Sequence, residues 1–127
     1  MAQTVDGDAV RRIAGPLPRV EERWVRNHNT YRVGRLVFLT VSADETDLGF
    51  AFPKEERAAL VAAEPDKFFL PRPSDLRWNW VEAHLAALDE TELHEIVLDA
   101  WRMVVPKRVA AGYLGSGHPG DGVGSRP

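Results

Sequence analysis

Residues 21–52, EERWVRNHNTYRVGRLVFLTVSADETDLGFAF, constrain the fold more than any other stretch of the chain. Val, Tyr, Phe, Trp and Thr dominate it. Plausible turns punctuate it at Asn27-His28-Asn29, Val33-Gly34-Arg35 and Ala43–Asp47. Such spacing predicts antiparallel strands joined by short connections. Leu36, Phe38 and Thr40 alternate with Val37, Leu39 and Val41, so this strand is apolar on both faces. A strand of that kind is expected to be central, with helices over at least one face. Leu48, Phe50 and Phe52 share one face of the next strand and should cover the core.

Helices flank the strands. Residues 6–14 predict a short first helix capped by Asp6 or Asp8, with Val10, Ile13 and Ala14 on one face and Gly15-Pro16 as its stop. Residues 53–64 predict a second, with Pro53 in its first turn, Glu55 and Glu56 near its positive end, and Ala59, Leu60 and Ala63 as a thin apolar stripe. Residues 67–70, KFFL, and the segment WNWVEAHL then predict strands, separated by a loop at 71–77. The last helix starts at Asp89, with Glu92 at capping-box spacing. Leu93, Ile96, Val97, Ala100, Trp101 and Val104 follow at helical intervals. Together these elements predict an α+β two-layer domain over residues 1–114, an antiparallel sheet with a long C-terminal helix packed over it. Trp101, Ile96, Val97, Phe38, Phe50 and Leu60 are expected in the core. Residues 112–127 hold six of the ten glycines and two prolines, and 115–127 are expected to form a flexible tail.

Several chemistries are excluded or unsupported at this level. With no cysteine, disulfides, thiolate nucleophiles and Cys-based zinc sites are ruled out. His28, His84, His94 and His118 are scattered, and His94-Glu95 lacks the second histidine of a zinc-protease signature. No serine sits in a nucleophile elbow and no glycine-rich loop links a strand to a helix. No enzyme, metal or cofactor is therefore expected. No apolar run nears the roughly 18 residues of a membrane span and the N-terminus lacks an apolar signal region, so the expected location is the cytoplasm.

Four stretches bear a closer likeness: VRRIAGPLPRVEER, FPKEERAALVAAEPDKFFL, WVEAHLAAL and ELHEIVLDAWRMVVPKRV. Together they resemble the MmcQ/YjbR-like family of small bacterial proteins, over residues 8–110. DAWRMVVPKR is the most specific stretch. The resemblance implies a compact α+β domain of double-wing shape, comparable with type III secretion chaperones, and mostly unassigned function. It brings no enzymatic activity. It does bring a DNA-binding role proposed from that shape, and it implies the alternative of a chaperone-like protein-interaction module using the sheet face. PRPSDLRWN, at 71–79, departs from the family's His-, Tyr- and Gly-rich loop.

The candidate contacts with nucleic acid or a partner are Arg11, Arg12, Trp78, Lys107 and Arg108. Net charge is −3, but residues 1–40 carry seven Arg against four acids, 41–100 carry five Lys/Arg against fourteen, and 101–127 carry four against one. A basic face is thus available only from the two ends of the chain. Lys107 and Arg108 after Pro106 admit two readings, cations favoured at a helix C-terminus or a ligand contact. Arg11 and Arg12 read as a solvated face of the first helix that joins Lys107 and Arg108 if that helix lies near the last one. Trp78 and Trp80, two apart, read either as core packing or as stacking surfaces for bases, with Trp78 the more exposed. A monomer is expected.

Overall fold

The structure, a computed structural model, describes residues 5–117. Helix α1 (Gly7–Ala14) leads into four antiparallel strands, β1 (Val20–Val25), β2 (His28–Val33), β3 (Leu36–Ser42) and β4 (Asp47–Ala51). Helix α2 (Arg57–Ala63), the short β5 (Phe68–Phe69) and β6 (Trp80–His84) follow, then α3 (Glu90–Arg102) and α4 (Lys107–Gly117). The six strands form one sheet in the order β1-β2-β3-β4-β6-β5, and each pairing among the described residues is antiparallel. The expected α+β architecture and meander are present.

The caps follow from local chemistry. Asp6 accepts the Ala9 N–H at 3.1 Å and opens α1. Asp89 accepts from the Glu92 N–H at 2.8 Å while Glu92 accepts from the Asp89 N–H at 3.1 Å, which is the predicted capping box. Helices α1 and α3 pack together, and α3 lies over β3 and β4. Tyr31, Leu39, Val41, Leu48, Phe50, Val81 and Ala83 are register partners and turn toward them. Phe50 meets Phe52 and Phe68 edge-on, with ring centroids 6.1 and 6.2 Å apart. The opposite face carries Thr30, Thr40, Gly49 and Glu82 in one row.

β3 is third of six, as its composition requires. Its double-sided apolarity has a second cause. The β2–β3 register slips between Tyr31 and Arg32, where Tyr31 faces Leu39 but Arg32 faces Val37. The extra residue, Phe38, breaks the alternation, so the neighbours Phe38 and Leu39 are both fully buried.

Three expectations need correction. The second helix begins only at Arg57, because Pro53 to Glu56 form a turn closed by the Glu56 N–H on the Pro53 carbonyl at 3.0 Å. Ala59 and Ala63 are exposed, whereas Arg57 is buried and Leu60 and Val61 pack on the core rim. The C-terminal helix is two helices. It stops with Met103 as C-cap, and Pro106 then starts α4, accepting the N–H groups of Val109 and Ala110 at 2.9 and 3.2 Å. Finally, α4 continues to Gly117, so residues 115–117 are helical; the rest of the expected tail, with His118, lies outside the described residues.

Trp101 closes the core. It is fully buried, its indole N–H donates to the Pro18 carbonyl at 2.9 Å, and its ring meets Tyr113 of α4 edge-on at 5.4 Å. Trp101→Ala should cost about 3–5 kcal/mol in urea denaturation, a large part of the stability of a domain this size. A loss below about 1 kcal/mol would mean that the ring is not the keystone described.

Candidate functional site

The two-helix ending changes the meaning of Lys107 and Arg108. They occupy the first turn of α4, not the last turn of α3. A helix start is its positive end, where a cation is disfavoured by roughly 0.3–1 kcal/mol. The final carbonyls of α3 do not need them, since Ala100 and Trp101 already accept the N–H groups of Met103, Val104 and Val105. Both side chains are exposed and have no carboxylate partner among the described residues. The helix-end reading therefore does not explain these two cations.

Arg11 and Arg12 behave differently. Arg11 bonds Asp8 and Glu22, each at 3.0 Å, and Arg12 bonds Glu90 at 2.8 Å. The carboxylate of Glu22 raises the affinity of the Arg11 guanidinium for its proton, and that of Glu90 does so for Arg12. Glu22 also accepts from Asn29 at 2.6 Å, and Asn29 donates to the buried Tyr31 hydroxyl at 3.2 Å. Burial pushes that phenol up to about 12. Although α1 does pack on α3, Arg12 sits at the start of α3 and Lys107 follows its end. Thirteen residues separate the two points, about 20 Å of helix. The four predicted cations thus do not form one patch.

Another set gathers instead. Val20 pairs with Val33, and Val33 pairs with Leu36 across the Gly34-Arg35 turn, so Arg19 and Arg35 lie at one end of the sheet. The Pro18–Trp101 hydrogen bond brings the end of α3 to the same place, and with it Arg102, Lys107 and Arg108. All five are exposed, and none is paired with a carboxylate among the described residues. Half-buried Arg32 adds a sixth charge nearby, with its Nε unpartnered and Nη2 donating weakly to Thr30 at 3.4 Å. Asp99, one turn before Met103, is the nearest exposed acid on α3. The opposite end is acidic, with Asp44, Glu45, Asp47, Asp66, Asp89 and Glu90 around the β3–β4 turn and the start of α3. There the Ser42 hydroxyl and then Thr46 hold the Asp44 carboxyl below its usual range. Sequence reasoning missed Arg19, Arg35 and Arg102 because only strand register and one indole contact bring them together.

The loop before β6 is the second feature of the cationic end. Ala51 pairs with Trp80, which places residues 76–79 beside the ends of β3 and β4. Buried Arg57 donates to the carbonyls of Trp78 at 2.8 Å and Trp80 at 3.0 Å, and also to that of Leu76. Lys54 Nζ donates to the Arg77 carbonyl at 3.1 Å, and its N–H donates to Asn79 Oδ1 at 3.0 Å. Trp78 does not share a strand with Trp80, as the period-two reading had it. It lies in the turn before the strand, 55% exposed, with the Arg77 guanidinium 4.8 Å from its ring centroid. Trp80 is half-buried and lies over Gly49, where an added Cβ would come within 2.7 Å of its indole nitrogen. Burial raises the carboxyl of neighbouring Glu82, against a smaller opposite pull from Trp80. The histidines gather no ligand set: among the described residues no cluster of three His, Asp or Glu could hold a metal ion. No helix there is long and apolar enough to cross a membrane.

The sequence model of the YjbR family matches residues 16–103, more than half of the chain. The chain belongs to the YjbR family. No curated protein matches it. Among solved structures, this YjbR domain is similar to protein DR2400 of Deinococcus radiodurans, described as containing domain DUF419. The TM-score is 0.67 at 19% identity, over 85% of this chain and 86% of that one. At that identity the likeness speaks for the fold alone, and the fold agrees.

Two outcomes follow for this YjbR domain. Arg57→Met should cost about 1–3 kcal/mol, since carbonyls of the 76–80 loop lose their donor, and limited proteolysis should then cut that loop faster. Glu82→Gln should raise Tm at neutral pH. A folded-state value raised above 4.5 means that ionisation opposes folding, so the wild type loses stability as pH rises through that value. The two proteins should melt together once both side chains are neutral, and a gap that persists in acid would refute the desolvation account.

Proposed function

We propose that this YjbR domain binds nucleic acid through its cationic end and performs no chemistry on it. One observation supports the reading most: five exposed cations, Arg19, Arg35, Arg102, Lys107 and Arg108, meet at one end without a carboxylate partner, two of them at an unfavourable helix position. Unpaired cations held together repel one another. A polyanion relieves that repulsion and releases its own counterions on binding. The acidic opposite end orients the domain in the field of such a ligand and limits affinity elsewhere. On this reading the protein works in the cytoplasm as a monomer. The sheet face turned away from α1 and α3 carries Thr30, Thr40, Asp47, Glu82 and His84 beside Trp80 and Phe69, a mixed polar and aromatic surface, so the unpaired cations favour an anionic ligand over a chaperone-like grip on a protein partner.

Binding should be sequence-tolerant and salt-dependent. With the five exposed cations and Arg32, the slope of log affinity against log salt on duplex DNA should not exceed about 5.4, and Lys107→Ala/Arg108→Ala should shallow it by about 1.8. Arg11→Ala should leave it unchanged. No binding of any oligonucleotide at ~50 mM salt, where electrostatic affinity is strong, would end this reading.

A further inference from the structure

We propose that Trp78 is a stacking platform for a nucleobase, and that the ligand of the cationic end is therefore a single strand. This inference rests on the nucleic-acid reading above and names the form of the ligand. Trp78 is a large apolar ring left 55% exposed, with Leu76 at 37% beside it. It is not the tip of a slack loop. Arg57 takes the carbonyl of Trp78 itself and those of Leu76 and Trp80 on either side, and Lys54 takes the carbonyl of Arg77. The Trp78 N–H donates to the Asp75 carbonyl at 3.0 Å. The indole is thus presented on a fixed backbone, so docking against it orders few further torsions. The Arg77 guanidinium lies 4.8 Å from the ring centroid, the geometry of a cation–π contact.

Its placement argues for a base rather than a phosphate. Sheet order sets Trp78 four strand spacings from Arg19, about 19 Å, within the span of a short bound oligonucleotide. The β1–β3 side of this end holds the unpaired cations, whereas at the Trp78 corner Glu55, Glu56 and Asp75 offset Lys54, Arg72 and Arg77. Phosphates are therefore favoured on the first side and an uncharged ring face at the corner. In a duplex the base faces are buried in the stack, and Trp78 gains nothing. In a single strand every base has a free face.

The test is a titration at ~50 mM salt with three probes, an oligothymidylate of about ten nucleotides, an abasic strand of equal length and a hairpin duplex. The proteins are wild type, Trp78→Ala, Trp78→Phe and Lys107→Ala/Arg108→Ala. Trp78→Ala should weaken oligothymidylate binding by about 5- to 100-fold, with partial recovery in Trp78→Phe, and leave the abasic and duplex affinities unchanged. The double substitution should weaken all three. Oligothymidylate affinity that ignores Trp78, or falls equally on the abasic strand, overturns the stacking inference. If duplex binding then still depends on Lys107 and Arg108, the nucleic-acid reading survives that failure. Absence of binding to every probe overturns both.

Discussion

The indole of Trp101 is the contact on which the arrangement depends. Its N–H reaches the Pro18 carbonyl, its ring is fully buried, and its edge meets Tyr113. Three parts of the chain that are far apart in sequence converge there: the link from α1 to β1, the end of α3, and α4. A ring of this size buries a large apolar area, and its one polar atom is satisfied, so nothing offsets the gain. The same contact brings Arg19 beside Arg102, Lys107 and Arg108. Core packing and surface charge are thus set by one side chain.

The sheet depends on an irregularity as much as on its regular pairing. The bulge at Phe38 lets two consecutive large residues enter the core, and it does so in the third of six strands, inside the sheet. On the other face, Gly49 has no side chain, and Trp80 occupies the space that a Cβ would need. Burial raises the carboxyl of neighbouring Glu82, and a hydrogen bond from Trp80 partly opposes the rise. The face away from α1 and α3 is therefore half-closed by its own aromatics.

Charge is arranged along the strand direction. Acids collect where β3 turns into β4 and where α3 begins, and they complement the positive end of α3. Cations collect at the other end. Two of them oppose the dipole of α4, an arrangement that costs stability and that local structure alone does not require. Arg11 and Arg12, by contrast, are neutralised within the fold. Net charge by segment distinguishes none of these cases, because pairing is a matter of distance.

The fold class and all the elements but α4 are readable from local sequence. Asp6, Asp89 with Glu92, the turn at Gly34, and the density of β-branched and aromatic residues over 21–52 act within a few positions of themselves, so their effects are readable without a fold. Membership of the YjbR family was legible in the same way, from DAWRMVVPKR and its companions. The tertiary structure alone decided the rest. Pro106 looked like the end of one helix and is the start of another, because Val105 and Ala110 find burial against the core and make a second helix worth forming. Arg57 is buried because three carbonyls of a loop twenty residues away converge on it, and no local signal marks it. At period two Trp78 and Trp80 would share one face of a strand, with Trp78 the more exposed. The strand begins between them, so one covers Gly49 and the other faces solvent. Local signals set most of the elements; burial and long-range register, which no short stretch encodes, add α4 and set what the elements leave at the surface.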